Sequence, residues 1–274
     1  MKVAEPTFCG VPSVSELAGT DADVVVYSAA DCSPYQAGVS SHAAEAPGAI
    51  RGALGWHSIT RTRWDFDVGM PIMGSASVAD YGAVPTDPVA PEDNRAAIEA
   101  TTRDVIRAGA MPVVLGGDDS VPIPFLSGLA ALGEPVTIVQ LDAHIDWRDA
   151  LEGNRFGYSS TMRRASEMAH VGGIIQVGIR GPGSAGADEV AFAQDRGAKI
   201  LQMAKLHADG IGAAIEAVPH GANVVFCVDV DGFDKCNVVG ANFVEFVPGR
   251  DPTGEGAKAI ARLICCLIAR ATQR

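Results

Sequence analysis

The chain has 274 residues, 21 Lys and Arg against 33 Asp and Glu, and a formal charge of −12, with 47% apolar and 20% charged residues. That apolar content is too high for a disordered chain, and the 31 glycines follow no fixed period. The acidic balance, without a run of Lys or Arg, argues against a nucleic-acid partner and for cationic ligands or simply solubility.

The N-terminal segment, MKVAEPTFCGVPSVSEL, has no apolar core, so no signal peptide is expected. Residues 23–28 form a β-branched run, and 47–56 read as a helix with Pro47 in its first turn. Helical spacing follows over 92–108, with Ile98, Val105 and Ile106 on or near one face. Residues 111–115 are a short apolar strand stopped by Gly116 and Gly117. A helix is expected over 122–132, a buried-type strand over 136–141 ending at Asp142, and a helix over 160–168. Then come a strand at 173–179, a helix at 188–194, a short strand at 200–201, a helix at 206–218, and strands at 224–230 and 243–247. An amphipathic helix over 256–269, capped by Thr253, closes the chain. The apolar stretch 259–269 is broken by Arg262 and too short to span a bilayer, so no membrane contact is expected. The six cysteines show no CxxC or Cys/His spacing, which fits buried thiols in a reducing, cytoplasmic setting.

Near-continuous apolar strands separated by helices predict one α/β domain over residues 1–274, with 1–20 as a lead-in. The fold class is a three-layer α/β/α sandwich on a mainly parallel sheet. In such sheets ligands bind beyond the carboxyl ends of the strands. Three predicted strands end there in acidic clusters: Gly116-Gly117-Asp118-Asp119-Ser120, Asp142-Ala143-His144-Ile145-Asp146, and Asp229-Val230-Asp231 followed by Asp234. A glycine turn after a strand can hold phosphate, but Asp118 and Asp119 would repel it. So many carboxylates on one rim call for a hard divalent cation with oxygen and imidazole ligands. In an extended segment Asp142, His144 and Asp146 would point to one side, as would Asp229 and Asp231. Two ions about 3.5–4 Å apart could share such ligands.

From about residue 24 to 269 the sequence resembles the ureohydrolase family of arginase, agmatinase and related guanidino-acid hydrolases. The resemblance rests on Ser40-Ser41-His42 through Pro47-Gly-Ala-Ile-Arg51, VVLGGDDS, VQLDAHIDW, VGIRG and CVDVDGFD. It implies an arginase-like fold, a homotrimer or hexamer, two divalent ions (usually Mn2+), and hydrolysis of a small cationic guanidino substrate to urea and an amine. Agmatine is the first candidate; guanidino-acid or formimidoyl hydrolysis, or a regulatory role in a catalytically impaired chain, are the alternatives. By position, Asp142 and Asp229 match carboxylates that bridge the ions, and His144 and Asp231 ligands of one ion. Asp146 matches a ligand of the other that also lies near the attacking water, and Glu245 the carboxylate that pairs with the guanidinium.

The chain departs from the family pattern in three places. Asp119 stands where GGDHS has a ligating histidine, making the implied set five carboxylates and one imidazole. The extra negative charge predicts a preference for a hard ion and a higher working pH. Tyr158 stands where an HG-type histidine is usual, and becomes the candidate proton donor to the leaving amine. Finally, the stretch between about 234 and 242 looks short, since a parallel crossover takes roughly 10–12 residues. A substrate-side loop and helix would then be missing, or the strands would pair differently.

Overall fold

A computed structural model describes residues 6–54, 63–66, 68–182, 185–227 and 237–271. The first half runs β1 (Val24–Ala29), α1 (Ala46–Gly52), β2 (Trp64–Asp65), β3 (Met70–Pro71), β4 (Val78–Ala83), α2 (Pro91–Arg107), β5 (Met111–Gly116), α3 (Pro122–Gly128) and β6 (Val136–Leu141). The second runs α4 (Thr161–Ala165), β7 (Val171–Ile179), α5 (Ala187–Asp195), β8 (Lys199–Gln202), α6 (Met203–Asp209), α7 (Gly212–Ala217), β9 (Asn223–Cys227), β10 (Asn237–Phe243) and α8 (Glu255–Ala271).

Eight strands form one sheet in the order β4-β1-β5-β10-β9-β6-β7-β8, and all neighbouring strands are parallel. Residues alternate between the two faces along each strand, so a sheet covered on both sides needs apolar side chains at both parities. Val24, Val26, Val113, Leu115 and Phe226 pack with Ile50 of α1 and Ile264 and Ile268 of α8. Val25, Val114, Ile138 and Val225 pack on the other face with Ile98 of α2, Phe125 of α3, Met162 of α4 and Ala193 of α5. The expected three-layer architecture is therefore present. Among the described residues no helix is long and apolar enough to cross a membrane.

The edge strand β4 is fixed by a buried ion pair. Arg51 at the end of α1 forks onto Asp80, Nε to Oδ2 at 2.8 Å and Nη2 to Oδ1 at 2.9 Å, and its Nη1 donates to Ser28 Oγ. The backbone N–H groups of Phe8 and Gly82 complete the Asp80 carboxylate. Every polar atom of this pair that is turned inward thus has a partner, which is the condition under which a buried pair is tolerated.

Several sequence expectations need correction. β4 was not anticipated, because Asp80 and Gly82 interrupt its apolar pattern. The helix expected over 206–218 is two short helices, separated at Gly210, where φ is +80°. The helix expected over 160–168 ends at Ala165. The last strand is Asn237–Phe243, not 243–247, so it ends two residues before Glu245. It pairs in parallel with both β9 and β5, so β9 and β10 are adjacent parallel strands joined only by residues 228–236. That link lies outside the described residues.

Candidate active site

The four central strands, β5, β10, β9 and β6, direct their carboxyl ends to one rim. At the end of β5 the Gly116-Gly117 pair is required by close approach of neighbouring loops. Gly117 N–H donates to Ala29 C=O at 2.9 Å, and a Cβ there would collide with the Ala30 carbonyl oxygen. A Cβ on Gly116 would come within 2.6 Å of Val244. The two acids that follow part company. Asp118 is turned inward and accepts from the backbone and hydroxyl of its own neighbour Ser120. Asp119 faces the site, held through its backbone: its N–H donates to Glu245 Oε1 at 2.7 Å and its C=O accepts from the Thr161 hydroxyl.

β6 stops at Leu141, and the DAHID segment that follows is not extended. Asp146 takes φ +53°, a left-handed conformation uncommon for a side chain larger than glycine's. Its carbonyl is fixed by the N–H groups of Met162 and Arg163 at the start of α4, at 3.0 and 3.1 Å. The result is a turn that brings Asp142 and Asp146 together with Asp119, with one oxygen from each within 4.8 Å of the others. His144 lies one step aside. Its Nδ1 is 3.4 Å from Asp142 Oδ1, an oxygen that also accepts the His144 N–H at 2.8 Å, and 55% of its side chain is exposed. Asp229, Asp231 and Asp234 lie outside the described residues.

Asp119 and Asp146 are buried, and burial is the largest influence raising both carboxyls well above the usual range. Next in weight come the charges of Asp146, Asp142 and Glu245 on Asp119, and of Asp142 on Asp146. Asp119 Oδ2 is buried with no hydrogen-bond partner among the described residues. A buried carboxylate oxygen left unpaired beside two like charges is costly, and a hard cation would satisfy all three acids at once. The donor set therefore fits a divalent metal, and Asp119 rather than Asp118 is the ligand-competent acid of the GGDDS turn.

Glu245 follows β10 and adopts φ +61°. Its N–H donates to Gly117 C=O at 2.7 Å, which pins it across the end of β5. One carboxylate oxygen holds the Asp119 N–H; the other lies 2.6 Å from His42 Nε2. Tyr158 stands beside this pair, its ring edge-on to His42 with centroids 6.0 Å apart and to Tyr35 at 4.5 Å. Burial, followed by the neighbouring Tyr35, Glu245 and Asp118, pushes its phenol up. Asp119, Asp142, His144, Asp146, Tyr158 and Glu245 share the wall of one cavity of about 430 Å³, together with Gln140 and Arg180. All the predicted site residues within the described part are thus gathered in one place.

The sequence left two neighbours without a role. His42 sits in the Ser40-Ser41-His42 stretch that carries part of the resemblance, but nothing in its spacing marks it as a partner of a residue two hundred positions away. Arg180, in VGIRG, lines this cavity and an adjoining one of about 470 Å³ walled by Ile145, Ile179, Val190 and Ile200. Among the described residues its side chain forms no ion pair and bonds to Gly178 C=O at 3.0 Å.

Residues 23–237 match the family model described as Arginase family. An agmatinase of Pyrococcus horikoshii is 31% identical over 172 residues, spanning 62% of this chain and 56% of that protein. The chain thus matches a little over half the length of this relative. The proclavaminate amidino hydrolase of Streptomyces clavuligerus superposes with a TM-score of 0.83 at 20% identity, covering 98% of this chain and 97% of that one. Formiminoglutamase of Trypanosoma cruzi, solved with Mn2+, gives 0.76 at 17% identity over 98% and 100%. The chain belongs to the arginase family.

Proposed function

We propose that this chain is an agmatinase-like ureohydrolase that cleaves a guanidinium, R–NH–C(NH2)2+ plus water giving R–NH3+ plus urea. The C–N bond to the tail breaks, a C–O bond forms, and the amine leaves carrying the extra proton. The observation that carries this reading is Glu245 anchored by the Asp119 N–H, which sets a carboxylate for a planar cation directly beside the Asp119, Asp142 and Asp146 cluster. That cluster would hold divalent cations, Mn2+ first among them, with His144, Asp229 and Asp231 as further ligands by resemblance. The solved formiminoglutamase with Mn2+ supports the choice of metal. Such a pair, when bound, would supply Lewis acidity and a water more acidic than bulk water.

The protein's own groups do the rest. Glu245 orients the guanidinium by charge-assisted hydrogen bonds, which fix the plane of attack. Asp146, its backbone locked by α4, orients the attacking water and receives its proton. Tyr158 or His42 then protonates the leaving amine. His42 is favoured over the tyrosine proposed from sequence, since it already bridges to Glu245 at 2.6 Å and an imidazole shuttles protons more readily than a phenol pushed upward. The strained backbone at both Asp146 and Glu245 fits groups held for chemistry.

Agmatine suits the acidic cavity and the charge of −12. One observation favours a guanidino acid instead: Arg180 in the cavity wall offers a carboxylate partner for the tail. Urea release measured across agmatine, arginine, guanidinobutyrate and guanidinopropionate tests both. An Arg180→Leu variant that loses about 10–100-fold in kcat/KM on guanidinobutyrate alone supports the acid; equal loss on agmatine excludes it. A single domain, a trimer or hexamer and a cytoplasmic setting belong to the same proposal, and light scattering of the purified protein reads the oligomer.

A further inference from the structure

Behind the carboxylates, three buried polar side chains run in a line away from the site. Gln140 on β6 and Gln176 on β7 occupy facing register positions, 1% and 0% exposed, and Trp147 is 1% exposed. The Gln140 amide nitrogen donates to Asp142 Oδ2 at 3.0 Å and to Asp146 Oδ2 at 2.7 Å. Its carbonyl oxygen accepts from the Gln176 amide nitrogen at 2.6 Å, which also donates to Ile145 C=O at 2.8 Å. The Gln176 carbonyl in turn accepts the Trp147 indole N–H at 2.8 Å.

The direction of this chain is fixed at both ends. An indole N–H can only donate, so Gln176 must turn its oxygen toward Trp147 and its nitrogen toward Gln140. Gln140 must then present its nitrogen to the two acids. Flipping Gln176 would set a donor against the indole and its oxygen against two others; flipping Gln140 would set its oxygen against both carboxylates. Two like-charged oxygens are thereby held by one amide whose orientation is decided two residues away.

We propose that Trp147, Gln176 and Gln140 are positioning residues, a one-way relay that holds Asp142 and Asp146 in the orientation that takes up a divalent cation. The inference rests on the cation reading of the cluster but not on the substrate. Groups behind metal ligands typically tune affinity by roughly 10–100-fold.

The test is calorimetric titration of the metal-stripped full chain with Mn2+ alone at one pH. Trp147→Phe, which removes only the N–H donor end, is expected to weaken binding about 10-fold, and Gln140→Met about 10–100-fold. The double variant should be no weaker than Gln140→Met, because the two act through one chain. Val105→Ala, a core cut on the same face away from the relay, should bind within about twofold of the parent. Unchanged affinity in Trp147→Phe, losses that multiply in the double variant, or an equal loss in Val105→Ala overturns the relay. If Trp147→Phe does not fold, Gln140→Met alone decides, and affinity within twofold of the parent overturns it. A parent chain that takes up no Mn2+ removes the cation site and the relay together, whereas uptake with an insensitive Trp147→Phe removes the relay only.

Discussion

His42 Nε2 lies 2.6 Å from Glu245 Oε2, so the carboxylate proposed to receive the substrate already holds an imidazole at one oxygen and the Asp119 N–H at the other. The pair is about half exposed, with side chains 49% and 40% accessible, so its contribution to stability is small, about 0–1 kcal/mol. Its contribution to turnover should be larger. Glu245→Gln is expected to lower kcat/KM by at least about 100-fold, since a guanidinium loses its charged partner. His42→Gln should lower kcat by about 10–100-fold while the melting temperature stays nearly constant. An unchanged kcat in His42→Gln would return the proton-donor role to Tyr158.

Asp119 in the GGDDS turn adds a negative charge where the family pattern has an imidazole. More negative ligands weaken the pull of bound cations on water, so the working pH should lie high. Asp119→His should shift the acidic limb of the pH–rate profile to lower pH. A profile that does not move would mean that the site's charge is balanced elsewhere.

The raised carboxyls of Asp119 and Asp146 also give a sign for the metal-free protein. A carboxyl whose folded-state pKa exceeds its unfolded value near 3.9 favours folding at low pH, and this contribution is lost as pH rises through the folded value. Removing the charge should therefore help more at high pH. Asp146→Asn, stripped of metal, should gain stability relative to the stripped parent between pH 5 and pH 8 in urea melts. Mn2+ should reverse the parent's loss, by roughly 2.7 kcal/mol at a hundredfold excess over Kd, and more strongly at the higher pH because its ligands must be deprotonated. A constant gap between the two proteins at both pH values would contradict the assignment.

Arg51 and Asp80 make the structural prediction most separable from catalysis. Arg51→Met leaves the Asp80 charge buried beneath the lead-in segment and should cost about 3–5 kcal/mol in denaturant melts. A loss under 1 kcal/mol would mean that the edge strand β4 is held mainly by its apolar face.

Much of the site was legible because parallel sheets send strand-end residues to one rim. GGDDS and DAHID each follow an apolar run that reads as a strand, β5 and β6. The geometry inside each cluster was not legible. Extended spacing put His144 with Asp142 and Asp146, whereas a left-handed turn at Asp146 brings the two acids to Asp119 and leaves the histidine beside them. The sequence reads Glu245 as part of a strand over 243–247; the observed strand, 237–243, is interrupted in its apolar pattern by Gly240 and two asparagines. Gln140 and Gln176 did leave a trace, as the one amide side chain in each of two largely apolar strands, but only the register shows that they face each other.

The connection 228–236 carries a separate check. Peptide mapping of the purified protein across residues 228–236 should return this sequence unbroken if the short link between the parallel strands β9 and β10 is its natural length. Extra residues in the peptide that joins Cys227 to Asn237 would mean that a substrate-side segment belongs there.

The most direct measurement is metal content of the purified full chain coupled to urea release from agmatine and the guanidino acids. Two divalent ions per chain, with urea formed from at least one substrate and lost on metal removal, is the expected result. A chain that binds no divalent ion, or one fully loaded that releases urea from none of them, would contradict the assignment of Asp119, Asp142 and Asp146 to a hydrolytic metal centre.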